Sequence, residues 1–228
     1  MSTNYYHQFL DGSPCGLPAG KVVCVGLNYA AHIQEMASQK SAEPMLFIKP
    51  TSALTSLASP LLIPQGLGSV HFETEMAILI GQELNQCSEP DVLPAIGGIG
   101  IALDLTLRDL QKQLRDVGHP WEKAKGWDGA CPVSAFLKPD KITDLQNVSL
   151  SLEKNGDIQQ DGNTAQMLTP VIPLIAYMSR FFTLHPGDVV LTGTPEGVGP
   201  IVPGDSLVVA LNDVLSVAVT DIRYRSSS

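Results

Sequence analysis

The sequence has no basic run or stripe: 14 Lys and Arg face 23 Asp and Glu, a formal charge of −9. Nucleic acids hold proteins mainly through phosphate contacts to clustered Lys and Arg, so no nucleic-acid partner is expected. The acidity reads instead as a solubilising surface. Cysteines are few, at Cys15, Cys24, Cys87 and Cys131, with no CxxC or CxxH spacing. A disulfide framework or a zinc site is therefore not expected, and reduced thiols in a cytoplasmic protein fit better. No apolar run approaches the roughly 18 residues of a membrane span. The opening MSTNYYHQFLDGSPCG has no basic region leading into an apolar stretch, so it does not read as a signal peptide. Low-complexity tracts, internal repeats and long linkers are also lacking. The expectation is a soluble cytoplasmic protein with no membrane partner.

What is present is a core. Of 228 residues, 44% are hydrophobic and only 16% are charged, which suits one large domain. Residues 1–20 read as an N-terminal arm or strand, and 21–228 as a single domain. Seventeen prolines and twenty glycines spread along the chain indicate short elements joined by turns. Strands are predicted at 21–26, 45–50, 61–64, 73–81 and 97–106, at 188–195, and in the closing stretch. A hairpin over 147–162 is predicted to turn at Asn155-Gly156. Helices are expected at 28–36 with Asn28 as N-cap, at 108–118 and at 171–182. Strands outnumber helices without regular alternation, so the fold class is α+β: a β-rich roll or sandwich of mixed strands with a few short flanking helices.

Several carboxylates stand where a chain would bury itself. Glu73 and Glu75 open the apolar run ETEMAILIG (73–81). In a strand, residues two apart share a face, so both would project together and repel unless a cation lies between them. Two solvated glutamates at a strand end is the competing reading. Asp104 interrupts IGIALDL, where a lone carboxylate is costly to bury; capping the following helix is its alternative role. Together the three form an all-oxygen set, which favours Mg2+, Mn2+ or Ca2+ over zinc.

Other residues could work beside them. His32 and Glu35, three apart on a short helix, share a face, and a carboxylate beside an imidazole raises its basicity; an exposed polar contact is the plainer reading. Lys125, in PWEKAKGWDGACPVS, could hold a carboxylate or a developing enolate, with Lys123 as its solvated neighbour. Arg108 and Gln111 follow Asp104 on the next helix and could face the same site. The turn from Thr192 to Pro195, with glycines at 197 and 199, is rich in N–H groups that can bind an anion, and it lacks the GK[ST] ending of a P-loop. The set suits a small 2-oxo or 1,3-diketo acid chelating a metal that stabilises its enolate.

The segments VVCVGLNYAAHIQEM, PMLFIKP, SVHFETEMAILIG, IALDLTLRDLQ, PWEKAKGWDGACPVS and LTGTPEGVGP, in this order and spacing, closely resemble the fumarylacetoacetate hydrolase family. The short bacterial members and the acylpyruvase/oxaloacetate decarboxylase branch are the nearest in pattern, and the resemblance runs from about residue 20 to the C-terminus. It implies that Glu73, Glu75 and Asp104 are Mg2+ or Mn2+ ligands and that His32 and Glu35 form a water-activating dyad on a lid segment. It also implies that Lys125 contacts the substrate carboxylate or enolate, that Arg108, Gln111 and Thr194 line the pocket, and that the protein is a homodimer. Leu27 stands where some relatives carry an arginine that reaches the ligand, and leucine cannot pair with a carboxylate. The implied reactions are acylpyruvate hydrolysis or oxaloacetate decarboxylation/tautomerisation, with a hydratase or isomerase of 2-hydroxy-dienoic acids as the alternative. A non-catalytic carboxylate-binding protein is the alternative of a different class. His71 is read as no ligand, because a hard ion asks for oxygen.

Overall fold

A computed structural model describes residues 5–36 and 42–226. Its largest sheet has seven strands, ordered Met45–Lys49, Val22–Gly26, Val189–Leu191, Thr74–Ile80, Ile96–Leu103, Cys131–Val133 and Leu54–Ser56. Val22–Gly26 runs parallel to Val189–Leu191, and Leu54–Ser56 runs parallel to Cys131–Val133, while the other neighbours are antiparallel. Every residue from Thr74 to Ile80 is buried, because both faces of this sheet are covered. Met76, Ile78 and Ile80 face one apolar cluster together with Val23 and Val25. Ala77 and Leu79 face a second cluster with Val22, Cys24 and Phe136, against which Tyr5, Phe9 and Leu17 of the N-terminal stretch pack. Continuous apolarity in this run thus reports burial on two sides, not a loss of alternation.

The four-stranded antiparallel sheet is of another kind. Its order is Asp157–Asn163, Ser149–Lys154, Leu207–Leu211 and Leu215–Val219. Leu207, Val209 and Leu211 are buried while Val208 is exposed, the alternation of a sheet with one wet face. The hairpin turns at Asn155 and Gly156, with φ of 54° and 90°, as the Asn-Gly pair predicts for a type I′ turn. Five short α-helices flank the sheets among the described residues. The expected helix at 171–182 is Val171–Ser179 and that at 108–118 is Arg108–Asp116. Two further helices, Glu89–Ala95 and Glu122–Lys125, lay outside the sequence expectations.

Two expectations are corrected. The helix expected over 28–36 is Ala30–Glu35, and its N-cap is Tyr29. Asn28 is drawn elsewhere: its Nδ2 donates to the carbonyls of Thr169 (3.0 Å) and Thr192 (2.9 Å), and its Oδ1 accepts from Thr169 N–H (2.8 Å). The strand expected over 73–81 breaks at Glu73, between Val70–Phe72 and Thr74–Ile80. The partner strand breaks likewise after Leu103 and resumes at Thr106–Leu107. The register that pairs Glu75 with Ala102 and His71 with Thr106 puts Glu73 opposite Asp104, and Asp104 N–H donates to the Glu73 carbonyl at 2.8 Å. One ladder passes from the seven-stranded to a three-stranded sheet at the level of these two acids.

Candidate active site

Glu73 and Asp104 face each other across the ladder, and Glu75 follows one residue into the strand. Carboxylate oxygens of the three lie within 4.8 Å of one another. Their exposures are 5%, 1% and 1%, far lower than solvated strand-end acids would show. Three cations meet them. Lys125 Nζ donates to Glu73 Oε2 at 2.8 Å and to Asp104 Oδ2 at 2.6 Å. Arg108 Nη2 donates to Glu73 Oε1, and its Nη1 donates to Gln111 Oε1 at 2.6 Å. Lys49 Nζ lies 2.7 Å from Asp104 Oδ1 and donates to the carbonyls of Lys125 and Ala130.

These charges are unevenly shared. Burial pushes the Glu73 carboxyl up, but Lys125, Arg108 and His32 together outweigh it and hold Glu73 well below the usual carboxylate range. Burial, with Asp104 and Glu73 next in size, drives Glu75 well above that range, and Lys125 and the Gly193 N–H only partly offset it. Lys125 is opposed by burial, yet Asp104 and Glu73 hold its ammonium charged, above the usual lysine range. Glu75 is therefore the acid with no lysine or arginine bonded to it, so ionising it asks for positive charge at its own carboxylate. Asp104 Oδ1 is close enough to Lys49 for an ion pair, but the approach lacks hydrogen-bond direction, so this oxygen retains accepting capacity. A hard divalent cation fits this donor set: three buried carboxylates with an under-compensated member.

Around the triad is a cavity of about 420 Å3. His32, Arg108, Gln111, Lys125 and Thr194 border it, together with an apolar wall of Leu27, Met45, Phe47 and Trp121. Lys125 Nζ sits 5.2 Å from the centre of the Phe47 ring. Leu27 holds a left-handed φ of 59°, uncommon for a non-glycine residue. His32 is 4% exposed, and its Nδ1 is 3.0 Å from Glu35 Oε2. The other Glu35 oxygen accepts from Gly197 N–H at 3.0 Å, which ties the short helix to the glycine loop. Gly197 must be glycine: its φ is 92°, and a Cβ there would lie 1.8 Å from the Gln159 carbonyl oxygen. The Gly193 N–H, expected to be available for an external anion, is taken by Glu75 Oε2. Lys123 is exposed, away from the cavity. His71 is outside the triad; its Nδ1 is buried without a hydrogen-bond partner, and burial followed by Arg108 pulls its pKa down to about 4.

Two residues of this cluster went unread in the sequence. Lys49, 0% exposed, closes the strand Met45–Lys49, whose other four residues are all less buried. The only signal was a charge between an apolar run and Pro50, which looks like an exposed strand end. Gln160, also 0% exposed, sits in the polar stretch DIQQDG, where nothing in the spelling marks it as buried.

Fold and site together define an α+β enzyme with a carboxylate triad able to hold a divalent cation. The chain belongs to the fumarylacetoacetate hydrolase family: the family model described as Fumarylacetoacetate (FAA) hydrolase C-terminal matches residues 21–224. It is 54% identical over 209 residues to the oxaloacetate tautomerase YcgM of Escherichia coli (strain K12), covering 91% of this chain and 95% of that one. It also resembles the crystal structure of fumarylpyruvate hydrolase from Pseudomonas aeruginosa in complex with Mn2+ and pyruvate. That likeness has a TM-score of 0.90 at 31% identity and covers 99% of this chain and 98% of that one. A family protein of Yersinia pestis CO92 matches with a TM-score of 0.93 at 54% identity, over 95% of this chain and 99% of that one. No helix among the described residues is long and apolar enough to cross a membrane.

Proposed function

We propose that this protein is a divalent-cation-dependent enzyme that interconverts the keto and enol forms of a small 2-oxo acid, oxaloacetate being the best-supported substrate. The observation that carries the reading is the buried triad of Glu73, Glu75 and Asp104, opening with Lys125 into a cavity sized for a small ligand. The identity to an oxaloacetate tautomerase supports the choice of substrate. The triad would hold Mg2+ or Mn2+, which when bound polarises the 2-oxo group and stabilises the enolate. Arg108, Gln111 and Thr194 bind and orient the acid. The Lys125 ammonium, kept charged by its acidic neighbours, faces the developing negative charge. With Nδ1–H donated to Glu35, His32 keeps Nε2 as an acceptor able to take the carbon-3 proton and pass it to the 2-oxygen, or to carry it back from the enol hydroxyl to carbon 3.

A second reading, acylpyruvate hydrolysis, is favoured by the same His32–Glu35 pair, since a carboxylate-oriented imidazole is what water activation requires. We place the protein in the cytoplasm and read it as a homodimer, which size-exclusion chromatography with light scattering checks. The central experiment follows enol oxaloacetate by ultraviolet absorbance, with Mg2+, with Mn2+ and after chelation, beside acetylpyruvate and fumarylpyruvate. Cation-dependent loss of the enol signal without CO2 release is the expected result. Pyruvate and a carboxylic acid as products would select the hydrolase instead. No turnover of any of the three with either cation would overturn the enzyme reading and leave a carboxylate-binding protein.

A further inference from the structure

Thr194 lines the cavity, and the hydrogen-bond sense of its hydroxyl is set by Gln160. Gln160 reaches it from the strand Asp157–Asn163 of the four-stranded sheet. Its Oε1 accepts from the Thr74 N–H at 2.9 Å, between Glu73 and Glu75. Its Nε2 donates to the Pro195 carbonyl at 2.9 Å and to Thr194 Oγ at 2.8 Å, with the Glu196 carbonyl a longer contact at 3.4 Å. The Thr74 and Pro195 backbone partners admit one orientation of the amide. Turned over, its NH2 would face the Thr74 N–H and its oxygen would face the Pro195 carbonyl. Thr194 Oγ is thus an acceptor toward Gln160, and its own proton meets no acceptor among the described residues.

We propose that Gln160 is a positioning residue that, by occupying a lone pair of Thr194 Oγ, favours donation of the hydroxyl proton toward the cavity, which suits an acceptor such as an ionised carboxylate. With the amide gone, the hydroxyl could turn its proton to the vacated backbone carbonyl and show lone pairs to the ligand. The same amide ties the strand of the carboxylate triad to the loop of the donor, so one side chain spaces both ends of the ligand. The inference rests on the proposed function for the class of ligand.

The test is a thermodynamic cycle read by binding. Pyruvate is titrated calorimetrically into Mn2+-loaded wild type, Gln160→Met, Thr194→Val and the double variant, and Mn2+ itself into each metal-free protein. Loss of a hydrogen bond to a charged group predicts pyruvate weakened about tenfold or more in each single variant. The double variant should be no weaker than the weaker single, with Mn2+ affinity unchanged throughout and pyruvate affinity retained in Thr194→Ser. Multiplying effects in the double variant would overturn the proposal, as would wild-type pyruvate affinity in Gln160→Met. Lost Mn2+ affinity in Gln160→Met would also overturn it, marking Gln160 as general support. Gln160→Leu takes its place if the methionine variant does not fold. Wild type that takes up Mn2+ but no pyruvate would sink the proposed ligand class instead, a result separable from all of these.

Discussion

The seven-stranded and four-stranded sheets are built from similar apolar residues but treat charge in opposite ways. In the four-stranded sheet Ser149–Lys154, Leu207–Leu211 and Leu215–Val219 largely alternate, and no charged side chain of its strands is buried. Asp205 beside it is satisfied by Asn155, Lys154 and the Val202 N–H, near the surface. The seven-stranded sheet buries Lys49 inside its own edge strand and gathers acids and bases where its central ladder leaves it. Burial on both faces excludes water there, so each ion must be answered by another ion or by a ligand. One sheet keeps its strand charges near water; the other gathers the buried ions of the candidate site.

The largest effect should come from the acids. Asp104→Asn, isosteric and uncharged, is expected to weaken Mn2+ binding and cation-dependent turnover by more than about 100-fold, beyond what loss of an outer partner costs. Its circular dichroism spectrum should be that of wild type. Turnover within about tenfold of wild type would erase the functional half of the comparison.

Stability effects sharpen the contrast. Lys49→Met leaves buried Asp104 with Lys125 as its one remaining cation, which should cost up to about 3 kcal/mol in metal-free protein, the lower end of what breaking a buried pair costs. Saturating Mn2+ should recover more stability in this variant than in wild type, because the ion takes over the lost positive charge. Leu152→Ala, in the fully buried row of the four-stranded sheet, should cost about 2–5 kcal/mol. Here turnover per folded molecule and Mn2+ affinity should stay the same, and added Mn2+ should give no extra rescue. Thermal unfolding with and without Mn2+ separates the two, and equal rescue in both variants would break the comparison.

The smallest effect lies behind the seven-stranded sheet. His7 Nε2 bonds the Gly187 carbonyl at 2.9 Å, and burial holds the imidazole below its ordinary pKa of 6.5 despite that bond and Asp188. At higher pH both folded and unfolded chains carry it neutral, so it contributes no slope. As pH falls below 6.5 the unfolded chain takes up the proton first, and stability declines until the folded imidazole titrates too. His7→Gln should flatten that part of the stability–pH curve while leaving the slope above neutral pH unchanged. Denaturant midpoints across the range measure it, and an unaltered acid-side slope would show that His7 is not desolvated in solution.

Much of this was legible in the spelling, for physical reasons. Asn155-Gly156 named its turn because few residues tolerate two successive positive φ angles. Glu73, Glu75 and Asp104 stood out because carboxylates inside apolar runs are costly. The break at Glu73 was hidden, since strand periodicity describes a continuous ladder and the change of sheet is a tertiary event. Asn28 spells a helix cap, yet it satisfies backbone groups of two distant loops. Lys49 and Gln160 were lost because their neighbours in sequence suggest surface, and their partners lie 55 and 34 residues or more away, at Asp104 and Thr194.

The opposition of Glu73 and Asp104 has a consequence for assembly of the chain. Because both acids occupy facing positions of one antiparallel ladder, a slip of a single residue would turn one strand over and drive its carboxylate into the aliphatic packing on the other face. Such a misregistered chain would carry an unanswered buried charge while Lys49, Lys125 and Arg108 lost their counterions. The charge cluster of the candidate site thus also penalises misregistered pairing of its own strands.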